Sequence, residues 1–147
     1  MRLAPGVVAW LRLMRAHARL EGRSQRQLRA SGLTGAQFDV LAQVGAQEGC
    51  TQQELADSLL VTKGNVTQLL GRMEECGWLT RSHEGRTRRV RLTRTGRALR
   101  RRVLQEHERF MAAQLAALST AEQKTLAQLL RKIERSLEDQ TPERANT

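Results

Sequence analysis

The amino-acid sequence predicts a mainly α fold with one small β-hairpin, and three observations predict it. Apolar residues recur at helical spacing through most of the chain. Ser/Thr-x-x-Gln/Glu boxes mark helix starts at Thr34 with Gln37, Thr51 with Glu54, and Ser119 with Glu122. After Gly77 the apolar period shortens from 3.6 to 2, and it lengthens again after Thr93. With 147 residues the chain is long enough for one ordinary domain with a real core, and no repeat or low-complexity linker divides it.

Taken in order, Val7, Trp10, Leu11, Met14, Ala18 and Leu28 predict a first helix over residues 7–29, which Gly22 and Ser24 can kink. Ser31-Gly32-Leu33-Thr34 stops it, and Thr34 starts a second helix with Phe38, Leu41 and Val44 inward, ending near Gly49. Thr51 starts a short third helix, QQELADSLL, with Leu55 and Leu59 buried. Val61 and Thr62 break it, and Thr62 caps a fourth helix with Val66, Leu69, Leu70 and Met73 on its apolar side. Gly77 is placed to end that helix in the left-handed region.

Two short helices joined by a tight turn form a helix-turn-helix. WLTRS and RRVRLT then read as strands, with Leu79, Val90 and Leu92 inward, Arg89 and Arg91 outward, and SHEGRT as the hairpin tip. A hairpin in that place makes residues 33–93 a winged helix-turn-helix lobe. Thr93 caps a long helix striped by Leu99, Val103, Phe110, Leu115 and Leu118. Ser119 starts the last one, which is expected to bury Leu126, Leu129, Leu130, Ile133 and Leu137 before a frayed tail, DQTPERANT.

Charge narrows the function. Lys and Arg number 25 against 15 Asp and Glu, a formal +10, so the partner is polyanionic, nucleic acid or acidic lipid. Arg far outnumbers Lys, and its planar fork suits phosphate and guanine edges, which favours nucleic acid. The absence of Tyr and the scarcity of Phe argue against single-strand binding on an aromatic platform. No apolar run reaches the roughly 20 residues of a membrane span, and no secretory leader is evident, so a cytoplasmic protein is expected.

Cys50 and Cys76 make neither a metal pair nor a disulfide framework, and their reading is reduced thiols without a settled redox role. His17, His83 and His107 are too scattered for a metal site, and no cofactor is expected. No nucleophile elbow, phosphate-cradling loop or Ser/His/Asp set points to an enzyme.

The fourth helix carries the candidate contacts to duplex DNA: Thr62, Lys63, Asn65, Thr67, Gln68 and Arg72 on its polar side. Asn and Gln pair with adenine edges, while Arg and Lys suit guanine or phosphate, and the N-terminal residues of such a helix reach the major groove first. The wing adds Arg81, Arg86, Arg88 and Arg89 against Glu84, with Arg86 and Arg88 the expected minor-groove residues. The run Arg94, Arg97, Arg100, Arg101 and Arg102 reads as a solvated face, because a helix N-terminus gains nothing from cations. A non-specific architectural DNA-binding protein stays open as the alternative, with the polar readers incidental.

The segments LTGAQFDVL, TQQELADSLLVTKGNVTQLLGRMEECGWLTR and RRVRLTRTG resemble the MarR family of bacterial regulators in order and spacing. The resemblance covers nearly the whole chain. It implies a homodimer held by helices within 5–30 and 94–139, reading a near-palindromic double-stranded site. It further implies a repressor released by a small aromatic or anionic effector, with Trp10, Met14 and His17 as possible ligand-pocket residues or, alternatively, dimer core. Where the family usually has Asp two residues before the wing arginine, this chain has Thr87, which implies that a wing-anchoring ion pair is missing. Thiol sensing through a first-helix cysteine is not expected, since no cysteine lies there.

Overall fold

The computed structural model describes residues 2–59 and 63–139. Its elements are α1 (Pro5–Ala30), α2 (Gly35–Ala46), α3 (Gln52–Ser58), α4 (Lys63–Glu75), β1 (Leu79–Glu84), β2 (Thr87–Leu92), α5 (Arg94–Gln114) and α6 (Thr120–Asp139). All three capping boxes close in both directions. Thr34 Oγ1 accepts the Gln37 N–H at 3.2 Å while Gln37 Oε1 accepts the Thr34 N–H at 3.0 Å. Thr51 with Glu54 closes at 3.0 and 2.7 Å, and Ser119 with Glu122 at 3.2 and 2.7 Å. Each box satisfies two of the amide groups that a helix start leaves without partners. The expected break at Val61, the Thr62 cap and the tail beyond Asp139 fall outside the described residues.

The core of the lobe is drawn from five helices and the hairpin. Leu28, Leu33, Val40, Leu41, Val44, Leu55, Val66, Leu70, Met73, Leu79, Val90, Leu92 and Val103 are each no more than 3% exposed. On α4 the buried residues Val66, Leu70 and Met73 stand at i, i+4 and i+7, so one face of the helix is committed to the core and the opposite face to solvent. The α2–α3 loop is stitched to the outer edge of β2: Gly49 donates to the Val90 carbonyl at 3.1 Å and Val90 to the Cys50 carbonyl at 2.9 Å.

Four expectations need correction. Helix α1 starts at Pro5, ahead of the expected residue 7, because a proline in the first turn lacks only an N–H that would have no partner there, and the helix continues through Gly22 and Ser24 to Ala30. The hairpin tip is two residues, Gly85 and Arg86, because pairing continues to Glu84↔Thr87. Gly85 sits at φ 64°, which lets the chain reverse that tightly. Helix α5 ends at Gln114, so Leu115 and Leu118 belong to the following turn, where the Leu118 N–H donates to the Leu115 carbonyl at 3.0 Å.

The fourth correction concerns α6. In the single chain Leu129 is 56%, Ile133 48% and Leu137 59% exposed, while Leu126 and Leu130 are half-buried. The chain divides into two compact units between Met111 and Ala112, and a unit with one long helix has no second layer on which to bury so wide a stripe.

The start of α5 is bolted to the lobe. Thr93 Oγ1 accepts the Gly96 N–H at 3.0 Å and donates to the Gly77 carbonyl at 2.6 Å, while the Thr93 N–H donates to the Trp78 carbonyl at 3.0 Å. A Cβ on Gly96 would overlap that Trp78 carbonyl, so the close approach requires glycine there.

Candidate nucleic-acid interface

Helix α4 follows directly from its apolar spacing: with Val66, Leu70 and Met73 inside, Asn65, Thr67, Gln68 and Arg72 are exposed on the other side. The side chain of Lys63, like the whole of Thr62, lies outside the described residues. Thr67 is tied back to α3, since Gln52 Nε2 donates to its Oγ1 at 2.6 Å. Gln52 is 7% exposed and is a residue the sequence did not single out; as the first residue of a capped helix it carries no mark of facing the next one.

The wing arginines separate into two kinds. Arg81 grips Glu74 of α4, with Nε at 3.1 Å and a terminal nitrogen at 2.8 Å from Oε2, while its backbone N–H donates to Oε1 at 3.1 Å. Its side chain is only 15% exposed, and its hydrogen bond lowers the Glu74 pKa. Arg81 is therefore a strut between α4 and β1. Arg89 donates from Nε to Glu84 Oε2 at 2.6 Å and from a terminal nitrogen to the Gly49 carbonyl at 2.8 Å. Arg91 stands 3.7 Å from the other oxygen of Glu84.

The wing thus has an anchoring ion pair after all. Thr87 does not supply it; Glu84, further back across the hairpin turn, does. The expectation that Arg89 points wholly outward is corrected at the same point. Its reach to Gly49 fastens β2 to the α2–α3 loop.

Arg86 and Arg88 remain at the edge. Arg86 occupies the turn, exposed and without an ion-pair partner among the described residues. Arg88 is exposed, and its Nε donates to Nε2 of its cross-strand partner His83 at 3.1 Å. Between the start of α3 and this hairpin lies a groove of about 460 Å³, walled by Thr51, Gln52 and Gln53 on one side and by His83, Arg86 and Arg88 on the other. A polar floor beside a basic ribbon can seat a phosphate backbone, with charge supplied by side chains rather than by a long helix.

The remaining candidates lie elsewhere. Trp10 (61% exposed), Met14 (39% exposed) and His17 sit on the open surface of α1. Cys50 is buried, and burial pushes its thiol pKa up, with Glu54 adding to the effect, which disfavours the reactive thiolate. Cys76 is exposed. His107 was noted in the sequence only as an isolated histidine, yet it is 5% exposed, 2.7 Å from Gln27 Oε1, with its ring 4.6 Å from that of Phe38 and 5.8 Å from that of Phe110. Burial lowers its pKa, so it sits neutral in the junction of α1, α2 and α5. Among the described residues no group of three His, Cys, Asp or Glu is arranged to hold a metal ion, and no helix is long and apolar enough to cross a membrane.

Comparison with known proteins places this geometry. A model of the MarR family matches residues 31–90. An HTH-type transcriptional regulator of Bacillus cereus (strain ZK / E33L) is 35% identical over 134 residues, covering 90% of this chain and 91% of the relative. The transcriptional repressor MprA of Escherichia coli (strain K12) is 31% identical over 119 residues, 78% of this chain and 67% of MprA. Among solved structures, Mycobacterium tuberculosis Rv2887, a MarR family protein in complex with DNA, is similar with a TM-score of 0.74 at 26% identity, over 90% of this chain and 98% of that one. Bordetella bronchiseptica BpsR, whose DNA binding is regulated by 6-hydroxynicotinic acid, is similar with a TM-score of 0.75 at 29% identity, over 86% and 98%.

Proposed function

Because the chain belongs to the MarR family of transcriptional regulators, we propose that it works as a homodimeric, sequence-specific repressor on double-stranded DNA and leaves its site when a small molecule binds. One observation carries this reading: the face of α4 opposite the core offers Asn65, Gln68 and Arg72, beside a groove edged by Arg86 and Arg88. Gln68 and Asn65 would read base edges in the major groove, Arg72 a guanine or phosphate, and Arg86 and Arg88 the backbone or minor groove. Thr62 and Lys63 would join them at the start of the helix. Arg81 and Arg89 hold the wing in place through Glu74, Glu84 and Gly49, and contribute to DNA binding by positioning more than by contact.

A two-fold dimer with recognition helices about 34 Å apart enters successive major grooves on one face of the duplex, which matches a near-palindromic site. The exposed apolar residues Trp10 and Leu11 of α1, and Leu129, Ile133 and Leu137 of α6, support helices at both ends as the ones that pair with a second copy. Residues 33–93 are then the reading lobe, and the place of action is the cytoplasm, where the DNA is. Repression and release by a ligand have their support in MprA, a named repressor, and in BpsR, which answers to 6-hydroxynicotinic acid. A ligand acts by favouring one helix separation, and it weakens DNA binding only by its differential affinity for the two states.

The test is an electrophoretic shift with the DNA upstream of the protein's own coding region, at moderate salt. Specific retardation over scrambled duplex is expected. Equal affinity for both, with a steep salt dependence that survives exchange of Asn65 and Gln68 for Ala, would replace this reading with that of an architectural binder.

A further inference from the structure

Gln52 holds a place that a polar side chain seldom keeps. It is 7% exposed at the start of α3, packed against Thr67 of α4. Its Nε2 donates to Thr67 Oγ1 at 2.6 Å, while its Oε1 is sealed from solvent and has no hydrogen-bond partner among the described residues. A buried acceptor left without a donor is costly, and an apolar side chain of similar shape avoids that cost. For stability alone, then, methionine would serve as well at this position. What the amide adds is a hold on one hydroxyl. Turned end for end, the same amide would accept the Thr67 proton, so the hold is kept in either sense.

That hold decides what Thr67 shows. A threonine on a helix divides between two χ1 rotamers, and the choice sets which of its two branches faces out. Here Oγ1 is drawn toward α3, yet Thr67 as a whole stays exposed. Its neighbours on the same stripe of α4 are small: Gly64 stands three residues before it and Gly71 four after. A Cβ on Gly64 would meet no described atom within 4 Å. The helix surface is thus cut back around Thr67, and a short side chain can touch whatever is laid against it.

We propose that Gln52 is a positioning residue for base reading. It fixes Thr67 with the hydroxyl turned toward α3 and the methyl turned outward, and that methyl packs on the C5-methyl group of a thymine in the major groove. Thr67 then reads thymine by apolar contact, next to Asn65 and Gln68, whose amides suit adenine. Such a role rests on the proposed sequence-specific binding and deepens it at one base.

One methyl group on the DNA tests this. The probe is the duplex that the whole chain specifically retards, with its thymines replaced one at a time by deoxyuridine, which pairs alike and lacks only the C5-methyl. Replacement at one position of a half-site is expected to weaken binding about fourfold, the worth of one buried methyl group. Gln52→Met should bring the thymine and deoxyuridine duplexes to equal affinity, with its urea midpoint unchanged or raised. Adding Thr67→Val to that variant should restore the difference, because valine carries a methyl on both branches. Thr67→Ser should lose the difference as well, and since Thr67 is exposed this variant keeps the test open should Gln52→Met fail to fold.

A duplex in which no thymine matters, a full difference retained by a folded Gln52→Met, or one retained by Thr67→Ser overturns the role and leaves specific DNA binding standing. A lowered midpoint for Gln52→Met with the difference intact makes the residue a structural one and likewise overturns it. Failure of the unaltered chain to prefer any duplex over scrambled DNA overturns the proposed function itself, and the role of Gln52 with it.

Discussion

The apolar side chains of the lobe and those of the terminal helices meet opposite fates. Val40, Leu41, Val44, Val66, Leu70, Met73 and Val90 are 0% exposed, whereas Trp10 on α1 is 61% and Leu129 and Leu137 on α6 are 56% and 59% exposed. Burying a side chain of that size contributes about 1.5–3 kcal/mol, so the lobe closes its own core within one chain while the ends leave comparable stabilisation unclaimed. The contrast teaches a division of labour: the lobe is held together by its own sequence, while α1 and α6 keep apolar faces uncovered, and those are the faces that the proposed dimer would use.

The sharpest way to break that comparison is to hollow the lobe. Leu70→Ala is expected to cost about 2–5 kcal/mol in a urea titration, since a fully buried leucine leaves a cavity that the close-packed core cannot refill. A loss below about 1 kcal/mol would mean that α4 is not seated as described. Ile133→Asp should do the reverse, leaving the lobe's unfolding midpoint in place while sedimentation shows monomers. Loss of the second reading head then lowers operator affinity about a hundredfold or more, because the two half-sites no longer bind as one ligand. A variant that stays dimeric would move the interface away from α6.

Within the lobe, Gln68→Ala and Arg86→Ala distinguish reading from holding. The first should change preference at one base position by about 1–3 kcal/mol, read from a panel of single-substituted operators. The second should weaken every duplex alike and lower the salt slope by about 1. Equal effects of both variants on all sequences would remove the distinction between helix and wing.

The smallest effect is one of pH. Burial holds His107 below the ordinary histidine value of 6.5, so the unfolded chain takes up a proton before the folded one does. Its contribution is present above pH 6.5 and is lost as pH falls toward the folded value, at a slope of no more than about 1.4 kcal/mol per pH unit. Glu74, held down by Arg81, loses its contribution in a lower window, below 4.5. Asp39, pushed up from 3.8 by burial and by Glu21, works in the opposite sense there. Thermal melts of His107→Gln should therefore show a flatter dependence around pH 6; a slope identical to that of the unaltered chain would place the proton elsewhere.

How much was legible beforehand follows the range of each interaction. The boxes at Thr34, Thr51 and Ser119 and the Thr93 cap involve partners three residues apart, so the letters alone reveal them. The exposed face of α4 follows from the spacing of Val66, Leu70 and Met73. The partners of Arg81 and Arg89 were not legible. Glu74 is seven residues from Arg81, across the end of a helix, and Gly49 is forty from Arg89. Four arginines in one hairpin look alike as letters, and only their distances to acceptors tell a strut from a free cation. The place of Arg100 was hidden for the same reason: the spacing reads it as part of a solvated face, yet its side chain packs across Gly45 of another helix.

By itself, then, the order of residues determined where helices begin, which side of each is greasy, and that a positively charged ribbon follows the helix-turn-helix, because hydrogen bonds and periodicity over a few residues depend on little else. Tertiary structure decided which arginines are consumed inside the lobe, where α5 stops, and which apolar stripes go uncovered. Those outcomes turn on groups brought within a few ångströms from distant parts of the chain, and proximity of that kind exists only once the chain has folded.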